Sequence, residues 1–263
     1  MKQMFLGLML PLIAVVGTWA CPEPVARDYT QYVNPFIGTG GHGHVFLGAN
    51  VPFGHIQAGP TQKKQGWDWC SGYHYSDSII IGFGQLHLSG TGIGDLGDIA
   101  LLPVTKSDVR EVKFSHKAEY ATPGYYAVTL ANGVRVELTA TQRTAFHRYT
   151  FPADARQEQV VVDLAQGVGW DKMTACTLQQ EGQNTIVGSR FSTGWAKDQR
   201  VFFVAEFSQP ITHRTKEGDS LSVLSFEPTG QPLMVKVGIS SVSIDNARLN
   251  LQQESPGWNF KTM

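Results

Sequence analysis

Three cysteines in 263 residues are too few for a dense disulfide framework, and their odd number leaves at least one unpaired or modified. An excess of charge of one sign is also lacking. The 21 basic and 22 acidic residues nearly cancel, so no field exists to collect phosphates or anionic lipid over the whole surface, and nucleic acid is not an expected partner. Sustained helical periodicity is absent from the body of the chain, and no apolar run after residue 20 is long enough to span a bilayer. Charged residues are sparse at 16%, against 42% hydrophobic residues, 28 glycines and 13 prolines. This balance describes a folded, turn-rich chain held by packing rather than a disordered one.

The first 20 residues read as an export signal. Lys2 supplies a sparse positive start, residues 5–16 an apolar run interrupted by Pro11, and Thr18-Trp19-Ala20 a stretch ending in a small residue. The expected location is therefore outside the cytoplasm, in a periplasm or at a cell surface. Cys21 follows Ala20 directly, which leaves ordinary cleavage and lipid attachment at Cys21 both open. Residues 21–32 are polar and proline-bearing, as expected of a linker, and the folded domain is expected over 33–242.

Segments rich in β-branched and aromatic residues recur at 79–88, 99–104, 109–115, 125–131, 134–142, 147–151, 159–164, 185–190, 201–207, 220–227 and 233–240. Asn132-Gly133 between two of them predicts a hairpin closed by a type I′ turn. Many short strands without intervening long helices indicate an all-β fold, an antiparallel β-sandwich. One helix is expected near the end, with Ser243 as N-cap and Ile244, Ala247, Leu249 and Leu251 partly on one face. Residues 243–263 read as the start of an interdomain helical linker, truncated at Met263.

Gly92-Ile93-Gly94-Asp95-Leu96-Gly97 fits a G-x-G-x-x-G pattern, but the segment after it reads as a strand. A pyrophosphate site requires a helix there, so no dinucleotide is expected. The glycine-rich stretch Gly38 to His44 lacks the Lys-Ser/Thr ending of a phosphate loop. Its His42 and His44, with a third residue such as His87, offer imidazole ligands for zinc; packing and hydrogen bonding in a turn is the plainer role. The densest constellation is Gly66-Trp67-Asp68-Trp69-Cys70-Ser71-Gly72-Tyr73-His74-Tyr75-Ser76-Asp77. Aromatic rings beside carboxylates and hydroxyls suit a sugar, whose C–H faces stack on rings while its hydroxyl rim seeks polar partners. No nucleophile signature surrounds Cys70, and Asp95 and Asp98 sit in a glycine-rich turn where capping of backbone N–H groups is the commoner role.

Four motifs together carry a resemblance: Tyr32-Val33-Asn34-Pro35-Phe36-Ile37-Gly38-Thr39, the Gly66 to Asp77 segment, Leu88-Ser89-Gly90-Thr91-Gly92, and Gly194-Trp195-Ala196 before Phe202-Phe203-Val204-Ala205-Glu206-Phe207. In this order they resemble the amino-terminal domain of glycoside hydrolase family 92. The resemblance implies a supersandwich-like β-domain leading to an (α/α)6 barrel, in an exo-α-mannosidase that uses calcium and inverts the anomeric carbon. It further implies that the barrel holds the general acid, the general base and the calcium ligands, so this chain is expected to hold no catalytic residue, metal or other cofactor and to be inactive alone. Its part would be one wall of the pocket for α-mannosides of N-glycans or mannans. Trp67, Asp68, Trp69 and Cys70 match the family's tryptophan-cysteine loop, and His87 is grouped with them as a substrate-binding residue. The partners implied are the glycan and the catalytic domain. A stand-alone carbohydrate-binding module is the alternative, and would show itself by tight binding of mannose. A domain built to dock on a barrel should leave Leu249, Leu251 and Trp258 incompletely covered.

Overall fold

Alternating side chains along the apolar segments bring the chain into two antiparallel sheets packed face to face. The computed structural model describes residues 28–262; the expected signal peptide, Cys21 and the linker up to residue 27 lie outside the described residues. In chain order the strands are β1 (Gly59–Thr61), β2 (Ile79–Ile80), β3 (Gly82–Gly84), β4 (Ala100–Val104), β5 (Val112–Thr122), β6 (Tyr125–Leu130), β7 (Arg135–Ala140) and β8 (Thr144–Thr150). They continue with β9 (Glu158–Asp163), β10 (Lys172–Glu181), β11 (Thr185–Thr193), β12 (Gln199–Phe207), β13 (His213–Glu217), β14 (Leu221–Phe226) and β15 (Leu233–Ser240), and end in helix α1 (Ile244–Glu254). One sheet runs β1-β3-β4-β9-β14-β13 and the other β10-β11-β12-β15-β8-β7-β6-β5-β2. The expected all-β sandwich with one short terminal helix is what the chain forms.

The core lies between the sheets, and the period-two rule shows how the larger sheet is covered on both sides. Leu233, Val235, Val237 and Ile239 of β15, with Val201, Phe203, Ala205 and Phe207 of β12, point into the sandwich. Val187 and Val204 point the other way and meet Ile244, Ala247 and Leu251 of α1 in a second apolar cluster. Gly238 lets the helix sit down, because a Cβ there would lie 2.4 Å from the Ala247 carbonyl oxygen. Ser243 caps α1 by accepting from the Asn246 N–H at 3.1 Å, as its sequence position implied. At the far end the Glu254 carboxylate accepts from Thr141 Oγ1, Arg143 N–H and Arg143 Nε–H at 2.5, 2.8 and 2.6 Å.

Several expectations are corrected. Leu251 is 1% exposed rather than partly bare, since it lands on the outer face of β12 and β15; only Leu249 and Trp258, at 48% and 40%, remain open to solvent. The tail beyond the helix folds back on the sheet. Lys236 Nζ lies 4.3 Å from the Trp258 ring centroid and donates to the Ser255 carbonyl, while Phe260 packs against Phe146 and under Arg148. The hairpin at Asn132-Gly133 forms, but only Gly133 has a positive φ, at 83°. Its N–H donates to the Leu130 carbonyl and Asn132 Oδ1 accepts from the Val134 N–H, so the link is a turn followed by a left-handed glycine, not type I′. The sequence reading also missed β1, β10 and β13.

Candidate functional site

Three of the sequence motifs converge at one end of the sandwich, in the loops before β1 and between β1 and β4. The stretch from Gly38 to His44 folds back on itself: Val45 N–H donates to the Gly38 carbonyl, and a Cβ on Gly43 would lie 2.1 Å from that same oxygen. A glycine is obligatory at 43, and its neighbour His44 adopts a left-handed φ of 56°. The adjoining segment forms a single 3-10 turn, Trp67–Trp69, tied by the Cys70 N–H to the Trp67 carbonyl.

Trp67 stands 55% exposed, yet its ring is fixed. The indole N–H donates to the Gly92 carbonyl at 2.9 Å, and Gly92, left-handed at φ 69°, leaves room where a Cβ would approach the ring to 3.2 Å. Gly90 N–H donates to the His44 carbonyl, and Ser89 Oγ accepts from the Phe46 N–H, so the Leu88 to Gly92 motif buttresses both loops. Asp68 sits beside Trp67 and joins two histidines: its Oδ1 lies 2.7 Å from His42 Nδ1 and 2.9 Å from His44 Nε2. These bonds, from His44 first and then His42, hold the Asp68 carboxyl below the ordinary range for aspartate. The His44 ring meets the face of Trp67 edge-on at 4.4 Å between centroids. Trp67, Asp68, His42 and His44 thus make one rim of ring faces and charge.

The other three expected residues stand behind that rim. Trp69 turns its indole N–H to Asp77 Oδ2 at 3.0 Å and stacks on His74 at 4.3 Å. Cys70 is 1% exposed, and burial pushes its thiol pKa up, which is the wrong direction for a nucleophile. His87 bonds Thr61 Oγ1 at 2.9 Å and the Gln57 carbonyl at 2.8 Å through its two ring nitrogens. Burial lowers its pKa to about 4, so it is neutral. It is therefore remote from His42 and His44 in bonding terms, and the third group that joins those two is Asp68. Next to the rim, His87, Phe46, Leu86, Ser89, Thr91 and Asn50 line part of an open cleft of 660 Å³. Cys70 and Cys176 are both free thiols.

A second group of loops is held by buried charge. Asp95 accepts from the Trp195 and Ala196 N–H groups at 2.9 and 3.3 Å, capping the Gly194 motif rather than its own turn. Arg190, on β11, donates to the Leu164 carbonyl and to both oxygens of Asp171, and its Nη1 lies 2.7 Å from Asp98 Oδ1. Asp98 is thus half of an ion pair between the sheets, not a turn cap. The G-x-G-x-x-G segment leads into β4, so no helix follows it. No described helix is long and apolar enough to cross a membrane.

Comparison with known proteins agrees with this architecture. Residues 32–240 match the glycosyl hydrolase family 92 N-terminal domain. Among solved structures, a family 92 α-mannosidase of Bacteroides thetaiotaomicron in complex with mannoimidazole is 33% identical with a TM-score of 0.82, over 88% of this chain and 35% of that one. A family 92 inverting mannosidase of the same species is 27% identical with a TM-score of 0.74, over 89% of this chain and 34% of that one. An uncharacterized secreted glycosidase of Arthroderma benhamiae is 27% identical over 89% of this chain and 36% of its own length. The chain spans about a third of the length of each of these relatives. It belongs to glycosyl hydrolase family 92, and residues 32–240 are the N-terminal domain of that family.

Proposed function

We propose that this chain is the sugar-recognising portion of an exported, inverting exo-α-mannosidase acting on α-mannosides of N-glycans or mannans. The observation that carries the reading is the rim itself: a half-exposed tryptophan whose ring cannot swing, next to a carboxylate kept ionised by two imidazoles. Trp67 offers a stacking face and Asp68 an acceptor for a sugar hydroxyl, while Trp69, Cys70 and His87 shape the wall from behind. The Bacteroides relatives, both mannosidases and one solved in complex with mannoimidazole, support the choice of sugar. The secreted relative supports export.

Hydrolysis with inversion needs a carboxylic acid at the leaving oxygen and a carboxylate activating water on the far side of the ring. In this reading a second, catalytic domain supplies both. It also supplies the ligands for calcium, which takes six to eight oxygens. The donor cluster found among the described residues, His42, His44 and Asp68, brings two imidazoles and one carboxylate and does not fit that ion.

The pure chain should release no mannose from α-1,2-mannobiose and should bind free mannose no more tightly than about millimolar, roughly −4 kcal/mol. Release of mannose would refute the division of labour; tight mannose binding in calorimetry would favour a stand-alone binding module instead. With the catalytic domain present, Trp67→Ala should cost on the order of 1 kcal/mol of transition-state stabilisation. Unchanged kcat/KM in a folded Trp67→Ala enzyme would return the segment to a packing role.

A further inference from the structure

Two histidines on one loop and an aspartate on another present three nitrogen and oxygen donors at a single point. His42 Nδ1, His44 Nε2 and Asp68 Oδ1 all lie within 4.8 Å of one another. We infer that these three atoms form a binding site for a first-row divalent transition ion of the zinc class, with its remaining coordination positions open. Two imidazoles and a carboxylate are the donor set such ions prefer over calcium or magnesium, and three protein ligands with a fourth position left for water is a recurrent zinc arrangement.

The backbone prepares the site before any ion arrives. Gly43, which tolerates no side chain, and the left-handed His44 turn both imidazoles toward Asp68, whose chain position is 24 and 26 residues away from theirs. Without an ion, the carboxylate oxygen bridges the imidazoles at 2.7 and 2.9 Å. Tetrahedral bonds of about 2.0–2.1 Å require donors roughly 3.3 Å apart, so each histidine has to move away from the Asp68 oxygen by only about half an ångström. The His42 side chain, 79% exposed, is free to make that adjustment, while His44, at 8%, keeps its place. Trp67, 4.4 Å from the His44 ring, covers one side of the site and reports on it. The inference needs no sugar and no second domain, so it stands or falls apart from the mannoside reading.

Cobalt is the probe. Added to the purified chain without sugar, Co²⁺ should bind one equivalent, quench part of the tryptophan fluorescence and develop a visible ligand-field band, with EDTA reversing both changes. Calorimetry with Zn²⁺ should give the same stoichiometry. His42→Ala, at an exposed position that the fold does not need, and Asp68→Asn, which keeps shape, should each weaken binding by more than roughly 10–100-fold, the range lost even when an outer partner of a ligand is removed. Trp67→Phe should abolish the site's share of the quench and leave the calorimetric binding intact. Absence of one-equivalent binding would overturn the inference. So would affinity unchanged from the wild type in His42→Ala and Asp68→Asn, which would place the ion elsewhere, or displacement of Co²⁺ by an equal concentration of Ca²⁺.

Discussion

Replacing Arg190 by methionine tests whether buried charge holds the two sheets in register at the end of the sandwich. The side chain is 1% exposed and makes three hydrogen bonds, one to the Leu164 carbonyl and two to Asp171. Its contact with Asp98 is one of charge, as neither Asp98 oxygen has an aligned hydrogen-bond donor among the described residues. Methionine fills similar volume but leaves two carboxyl groups without a cation, and breaking a buried pair in this way costs about 3–5 kcal/mol. The sign of the pH dependence is set by Asp98. Burial raises its pKa to about 7, and Arg190 is the group that pulls the other way, against Asp171 and Asp95. Without the arginine the folded-state pKa rises further. The folded chain then holds a proton that the unfolded chain, with an ordinary aspartate, has already released, so stability falls as pH rises through that window. The gap between wild type and variant should therefore widen by up to about 1.4 kcal/mol per pH unit above about pH 7 through Asp98, and should be smaller at pH 5 than at pH 8. Urea melts followed by tryptophan fluorescence at the two pH values give both numbers, and adding Asp98→Asn to the variant should recover part of the loss. A cost below 1 kcal/mol at pH 8, or a cost independent of pH, would refute the reasoning.

Two further expectations concern the other layers. Leu251→Ala should destabilise by about 2–5 kcal/mol, because Leu251 is fully enclosed between α1 and the outer face of β12 and β15; loss of protection confined to 244–260 in hydrogen exchange would show the helix leaving as a unit. Burial lowers the pKa of His147 to about 3, so its neutral form contributes stability that is complete above about pH 6.5 and is lost as pH falls toward 3. His147→Gln should remove about 1.4 kcal/mol per pH unit from the slope of stability between pH 6 and pH 4, and parallel curves for the two proteins would contradict this.

Strands were legible where burial selects them. β9, β12 and β15 are covered on both faces and read as runs of valine, phenylalanine and isoleucine, and β6 and β7 flank a recognisable Asn-Gly turn. β10 and β13 escaped because they are edge strands with mostly exposed polar side chains, Lys-Met-Thr-Ala-Cys-Thr-Leu-Gln-Gln-Glu and His-Arg-Thr-Lys-Glu, whose pairing comes from the backbone ladder rather than from apolar contacts. The site was legible as segments and not as an arrangement. Trp67 and Asp68 stood out for their chemistry, but the bonds that position them reach 24 to 26 residues along the chain, to Gly92, His42 and His44. No local pattern encodes those distances. The placement of Arg190 had no sequence signal either, because a lone arginine in a strand usually faces water.

The polarity of the sheet edges also decides how other molecules can approach. A flat apolar edge invites an extended peptide, or another copy of the same protein, to add itself as a further strand. Here Lys172, Gln179, Gln180 and Glu181 border the larger sheet on one side, and His213, Lys216 and Glu217 border the smaller one, all exposed. A newcomer at the β10 or β13 border would have to bring its own charges against these, which disfavours strand addition there. The exposed aromatic ring of Trp67 lies instead in the loops at the end of the sandwich, away from both of these borders.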